Sequence, residues 1–159
     1  MLKKKFLFIF IIYTLVLDKL YCIDPPKDIY IEDIIVGNKD NVAKTGDTIS
    51  VHYKGWLFDR NAVQENYCDA KGKKFDDSTD EKLREKYGEE VKEFTFPLGQ
   101  GLVITGWELG FKNMREGGKR CLVIPPKFGY GARKIGDVIP ANSTLIFEIN
   151  LISIKNKED

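Results

Sequence analysis

The sequence is poor in the residues on which most covalent and metal chemistry depends. Its 159 residues include one histidine, His52, and three cysteines. A Ser-His-Asp or Cys-His relay would have to use His52, which has no nucleophile elbow beside it, and a zinc site fails on ligand count and spacing. An excess of one charge is missing too. The 25 Lys and Arg stand against 24 Asp and Glu, whereas a nucleic-acid binder usually carries a concentrated basic excess. Gly99-Gln100-Gly101 lacks the later glycine of a dinucleotide loop and the Gly-Lys-Ser/Thr of a phosphate loop, so it reads as a turn. No cofactor, metal or nucleic-acid partner is expected. Internal repeats are absent, and no apolar run reaches the roughly 20 residues that span a bilayer as a helix.

What is present is enough apolar and aromatic material, 43% and 12%, for one domain with a buried core. The first 22 residues stand apart from it. Lys3, Lys4 and Lys5 precede the run Phe6 to Leu17, broken only by Thr14, in the pattern of a secretory signal peptide. Its removal after Cys22 leaves Cys68 and Cys121 in a compartment that permits disulfides, where they either pair or stay free. Residues 23–28, with Pro25 and Pro26, read as a linker, residues 29–154 as the domain and the charged residues 155–159 as a tail. That tail is not of the Lys-Asp-Glu-Leu type. The reading is the secretory pathway, with the endoplasmic reticulum lumen and secretion both left open.

Ile29 to Val36 and Thr48 to Leu57 are strand-like, the second placing Ile49, Val51 and Tyr53 on one face and His52 on the other. Thr144 to Ile152 alternates most clearly, with Leu145, Phe147, Ile149 and Leu151 on one side. Lys119 to Ile124 and Glu93 to Leu98 complete about five strands, Pro97 favouring a sheet edge. Ile104, Trp107, Phe111 and Met114 recur at helical spacing, and Thr105 with Glu108 fits a capping box. The class is therefore α+β, a mainly antiparallel sheet of about five strands and one short helix. Two polar stretches near 59–74 and 80–92 flank Phe75-Asp76 and read as charged surface insertions, with a helical turn or two expected from Asp80 to Tyr87. Asp76 and Asp77, adjacent on an extended chain, point apart, which argues against a general acid-base pair.

Several blocks together carry a resemblance: Val51-His52-Tyr53-Lys54-Gly55, Lys73-Lys74-Phe75-Asp76, Phe96-Pro97-Leu98-Gly99, Val103-Ile104-Thr105-Gly106-Trp107-Glu108, Phe128-Gly129-Tyr130-Gly131 and Ile139 to Phe147. In this order they resemble the FKBP-type peptidyl-prolyl cis-trans isomerases, the immunophilins that bind macrolide immunosuppressants. The resemblance runs from Ile29 to Ile154. It implies a twisted sheet wrapped around the helix, with a pocket between them formed by Tyr53, Phe75, Asp76, Phe94, Val103, Ile104, Trp107, Tyr130 and Phe147, and by Val138 and Ile139 on a loop wall. It further implies Trp107 as the floor, Phe75, Phe94 and Phe147 as sides, and donors from the Tyr130 hydroxyl and the Ile104 amide. Asp76 is taken as a buried carboxylate that orients Tyr53. The implied partners are proline-containing polypeptide clients and macrolides of the tacrolimus and rapamycin type.

This sequence departs from the common pattern at Leu102, where many relatives carry a polar residue, and in the more charged loop Arg133-Lys134-Ile135-Gly136-Asp137. Cys121 replaces an often charged, outward-facing position. Two function classes follow: a secretory-pathway isomerase that assists client folding, or a non-catalytic protein-binding or chaperone module using the same pocket and the charged insertions. Cys68 and Cys121, if paired, would staple the first insertion to the Lys119 to Ile124 strand. Asn142-Ser143-Thr144 fits the N-glycosylation pattern but lies in a tight connection, and Asn142 is expected to stay unmodified.

Overall fold

The computed structural model describes residues 23–156, apart from 38–39, 63–64, 81 and 83–91. The expected signal peptide, most of the 80–92 insertion with its helical turn, and residues 157–159 lie outside the described residues.

Among the described residues the strands are β1 (Tyr30–Ile35), β2 (Thr48–Phe58), β3 (Lys71–Asp77), β4 (Phe94–Pro97), β5 (Lys119–Ile124) and β6 (Leu145–Lys155), with the helix α1 (Thr105–Gly110) between β4 and β5. They form one antiparallel sheet in the order β1-β5-β6-β2-β3, and β4 also pairs with β2. The long β2 divides its free edge: Thr48 to Val51 pair with β4, and Lys54 to Phe58 pair with β3. Tyr53 falls at the junction. There its amide donates to Ser78 Oγ at 2.8 Å, and its carbonyl accepts from the Ser78 amide at 3.0 Å. Pro97 ends β4 opposite Thr48, where its missing N–H costs least.

The sheet therefore has one strand more than the alternation suggested. β3 begins within the stretch read as the first charged insertion and runs on through Phe75-Asp76. Its residues Lys71-Gly72-Lys73-Lys74-Phe75-Asp76-Asp77 show no apolar face because only Asp77 is buried. The strand forms because the edge of β2 supplies the ladder, not because its own side chains need burying.

The inner face carries the main core. Ile49 and Val51 of β2, Leu122 and Ile124 of β5, and Leu145, Phe147, Ile149 and Leu151 of β6 meet Phe96, Leu98, Trp107, Phe111 and Met114. The helix sits very close to the sheet. A Cβ on Gly106 would lie 2.4 Å from Ile124 Cγ2, and one on Gly110 would lie 2.5 Å from Leu122 Cδ1, so side chains there would lift α1 off β5. Buried Arg120 of β5 locks the far end of the helix, donating to Gly110 O at 2.7 Å, Lys112 O at 3.1 Å and both oxygens of Asp33 on β1.

The expected capping box at the helix start does not form. Ile104 is the N-cap residue and makes no side-chain cap bond. Glu108 instead reaches back to the amides of Gly99 and, at 2.8 Å, Gly101. Met114 lies beyond the helix but is buried all the same.

The outer face carries a second cluster. Cys121 and Val123 of β5 and Ile146 of β6 are covered by Cys68 and Ala70, with Tyr30, Trp56, Phe58 and Tyr67 packed around them. The first insertion provides this cover. Asn66 caps the 3-10 turn Tyr67–Asp69 in a capping box with Asp69, and Cys68 is disulfide-bonded to Cys121. Cys121 thus points outward from the pleat, as its position implies, yet is fully buried. Tyr67, Cys68 and Ala70 are packing residues, which corrects the reading of that segment as purely a charged surface insertion.

Candidate functional site

Between α1, the end of β4 and the loop after Tyr130 lies a cavity of about 560 Å³. Every site residue expected from the sequence lines it: Tyr53, Phe75, Asp76, Phe94, Val103, Ile104, Trp107, Tyr130, Val138, Ile139 and Phe147. Leu102, Thr105, Gly129, Arg133 and Ile135 line it too. Of these, Thr105, Gly129 and Ile135 went unassigned in the sequence. Gly129 sits inside a quoted motif, and Ile135 stands in a charged run with no periodicity to single it out.

The walls are aromatic and mutually braced. Trp107, 4% exposed, meets Tyr53 at 5.0 Å and 82°, Phe147 at 5.2 Å and 82°, and Phe94 at 5.9 Å and 75°. These are edge-to-face pairs, each worth about 0.5–1.5 kcal/mol beyond burial. Phe75 packs on Phe147 at 5.6 Å, while Phe96 and Phe111 back the indole at 5.8 and 5.4 Å. A rigid ring system results, open on one side to solvent through the exposed Phe94, Leu102 and Val138.

Polar groups at the cavity are few and mostly committed. Tyr53 Oη donates to Asp76 Oδ2 at 2.7 Å, and Asp76 Oδ1 accepts from the Asp77 amide at 2.9 Å. Burial pushes the Tyr53 phenol well above its ordinary value, and the hydrogen bond to Asp76 adds to the shift. Tyr130 is pushed up by burial and then by the Asp76 charge. Both phenols therefore remain protonated donors at neutral pH.

Asp76 itself is exposed, which corrects its expected burial, and its neighbour Asp77 is the buried one. Asp77 turns to Lys74 at 2.8 Å, Lys54 at 3.8 Å and Thr79. Burial alone would raise its pKa, but the bonds from Lys74 and Thr79 outweigh this and hold it below the usual carboxylate range. The two carboxylates have separate partners, as their adjacency on an extended chain requires.

The Ile104 amide stands ahead of the first helical hydrogen bond, Glu108 N to Ile104 O at 3.2 Å, where the ladder offers it no acceptor. Trp107 Nε1 is buried without a partner among the described residues. His52 does not line the cavity, and its Nδ1 lies 3.4 Å from Ser78 Oγ. Among the described residues no group of three His, Cys, Asp or Glu is placed to hold a metal ion. The arrangement can seat an apolar ring on an aromatic floor and present hydroxyl and amide donors to carbonyl oxygens. It offers no nucleophile paired with a base.

Comparison with known proteins agrees with this geometry. The FKBP-type peptidyl-prolyl cis-trans isomerase family matches residues 39–152. A "FK506-binding protein" of Neisseria meningitidis serogroup A is 44% identical over 124 residues, covering 78% of this chain and 94% of the relative. "FK506-binding protein 1A" of Neurospora crassa is 43% identical over 119 residues (75% and 82%), and the protein of the same name from Aspergillus fumigatus is 40% identical over 121 residues (76% and 89%).

Proposed function

The chain belongs to the FKBP-type peptidyl-prolyl cis-trans isomerase family, and from that membership we propose how its pocket turns the amide and where the protein works. It is a peptidyl-prolyl cis-trans isomerase. Rotation about an X-Pro bond is opposed by amide resonance with a barrier of about 18–20 kcal/mol, and the twisted transition state has lost that resonance. Loss of conjugation shrinks charge separation along C–N, so an apolar site penalises the planar ground state more than the twisted form. Binding the bond already part-way twisted is worth about 1–5 kcal/mol, and each 1.36 kcal/mol is roughly tenfold in rate.

In this reading the proline ring lies on Trp107 between Phe94, Phe147 and Tyr53. Tyr130 Oη and the Ile104 amide hold the flanking carbonyls, and Val103, Ile139 and Phe75 exclude water. Asp76 orients Tyr53 and biases the field at the carbonyl, moving no proton. The observation that carries this mechanism is the edge-to-face ring system around Trp107, beside which Tyr53 and Asp76 are hydrogen-bonded to each other while the Tyr130 hydroxyl and the Ile104 amide face the cavity as donors. A protease-free isomerisation assay on a proline-containing tetrapeptide tests it. Asp76→Ala and Tyr130→Phe should lower the rate with the fold intact, and full activity in both would move the site elsewhere.

The names of the relatives, the size of the cavity and its apolar lining support binding of macrolides of the tacrolimus and rapamycin type. Competitive inhibition by tacrolimus is the expected outcome. The clients are proline-containing polypeptides passing through the secretory pathway. The lysine-led apolar run ahead of residue 23 supports this location, and so does the Cys68–Cys121 bond, since disulfides persist in oxidising compartments. Fusing residues 1–22 to a reporter should route it into that pathway, whereas a reporter left in the cytosol would overturn the localisation without touching the isomerase assignment.

A further inference from the structure

The loop that follows Tyr130 is tied down along its length. Ile135 and Ile139 exchange backbone hydrogen bonds of 2.9 and 3.1 Å, Asn142 N donates to Gly131 O at 2.8 Å, and Gly131 N donates to Pro126 O at 2.9 Å. The amide of Arg133 donates to Tyr130 O at 3.2 Å. Arg133 is thereby carried at a fixed place on the cavity wall and not on a loose tip.

The loop holds three charges, and two cancel: Lys134 Nζ lies 2.9 Å from Asp137 Oδ1. Arg133 is exposed and has no ion pair among the described residues. Along the cavity lining it is the one base and Asp76 the one acid. They do not pair with each other, for Asp76 is engaged by the Tyr53 hydroxyl and the Asp77 amide. The remaining rim, Phe94, Leu102 and Val138, is apolar and 41%, 68% and 41% exposed. A polypeptide lying across this mouth meets one uncommitted guanidinium, whose planar fork suits a carboxylate. A client lysine meets a like charge at Arg133.

Resting on the isomerase reading, we propose that Arg133 is a specificity-determining residue, selecting clients with an acidic residue beside the isomerised proline. The pair would form in solvent, so the preference is modest. Exposed ion pairs correspond to about two- to fivefold, and the effect should shrink as salt screens it.

The test measures kcat/KM on the protein with tetrapeptides carrying Glu, Gln or Lys immediately before or immediately after the proline. At low ionic strength the Glu peptide should exceed its Gln isostere about two- to fivefold in at least one of the two positions, with Lys the poorest. Arg133→Gln should bring the Glu/Gln ratio to one, and Arg133→Glu should invert it in favour of Lys. A ratio of one or below in both positions, or a ratio that survives Arg133→Gln, overturns the proposal while the turnover of the Gln peptide still supports the isomerase. Failure to turn over the Gln peptide would sink the isomerase reading and this proposal with it.

Discussion

The two faces of one sheet carry two apolar clusters with opposite fates. Strands β5 and β6 feed both, sending Leu122, Ile124, Phe147 and Ile149 inward and Cys121, Val123 and Ile146 outward. Inside, aromatic rings are braced against one another and a cavity of about 560 Å³ stays open. Outside, the first insertion closes over the strands and a disulfide fixes it there. Large rigid rings can stand around a space without collapsing into it, because each is held by neighbours on its edges. The outer cluster is small, with three of its five fully buried members being cysteine or alanine, and a covalent tie supplies what apolar area does not. The inner face should therefore answer to side-chain shape, and the outer face should govern stability alone.

Trp107→Ala should produce the largest effect on this comparison. Truncating a buried tryptophan costs about 3–5 kcal/mol of stability, and here it also removes the indole against which five other rings pack. Urea unfolding and the tetrapeptide assay should both register the change, with activity lost even under conditions where the protein stays folded. A folded variant that retained most of its rate would show that the inner face is ordinary core.

Replacing Cys68 and Cys121 together by alanine should separate the faces. The bridge closes a loop spanning a sequence separation of 53, for which chain-entropy reasoning gives about 4 kcal/mol as an upper figure. The unfolding midpoint should drop while kcat/KM of the folded protein stays within about twofold, since the bridge touches no residue of the cavity. A matching fall in kcat/KM would mean that the outer cover shapes the pocket, and the division of labour between faces would fail.

The parts of this arrangement that could be read from the sequence are those where one side chain reports one environment. β6 alternates because its inner residues are buried in the main core, whereas β5 was legible as a short apolar run because residues on both of its faces are buried. The site residues were named through the family resemblance, Phe94 and Val138 from outside the quoted blocks, and the cavity gathers all of them. β3 escaped because its buried residue is charged Asp77 and its one apolar contact to the core is Phe75, so no alternation shows. The helix start was misread because Thr105 and Glu108 fit a cap by spacing, whereas Glu108 spends its carboxylate on the loop amides of Gly99 and Gly101. The pairing of the cysteines was open because it depends on where the insertion folds back. The burial expected of Asp76 falls on Asp77 instead, which pairs with Lys54 and Lys74 from two different strands.

A smaller effect should follow from Tyr53→Phe, which deletes one hydrogen bond at the cavity while keeping the ring. A bond to a charged acceptor contributes about 1.5–3 kcal/mol when buried. Asp76 is exposed, so the loss should be nearer about 1 kcal/mol, or up to roughly tenfold in rate. The unfolding midpoint should hardly move. If the rate is unchanged, Asp76 plays no orienting part and its place at the cavity is incidental.

The smallest effect expected is that of pH, and its two limits should map onto the two faces. Glu148, on the outer side of β6, is held below the usual carboxylate range. Burial alone would raise it, but Lys119 at 2.8 Å and the contact with Lys71 prevail. With a depressed folded pKa, its contribution to stability is present above the ordinary carboxylate value and is lost as pH falls through the lower folded value; Asp77 behaves in the same way. Tyr53 and Tyr130 are raised, so their contribution is complete below the ordinary tyrosine value near 10 and is lost as pH climbs through the folded values. Acid should therefore loosen the outer face first and alkali the pocket. Between about pH 6 and 8 neither set titrates, and His52 does not line the cavity. Because no proton moves during rotation, kcat/KM should be flat across that window. A bell-shaped profile there would require an acid-base pair and would end the view that the pocket works by shape and polarity.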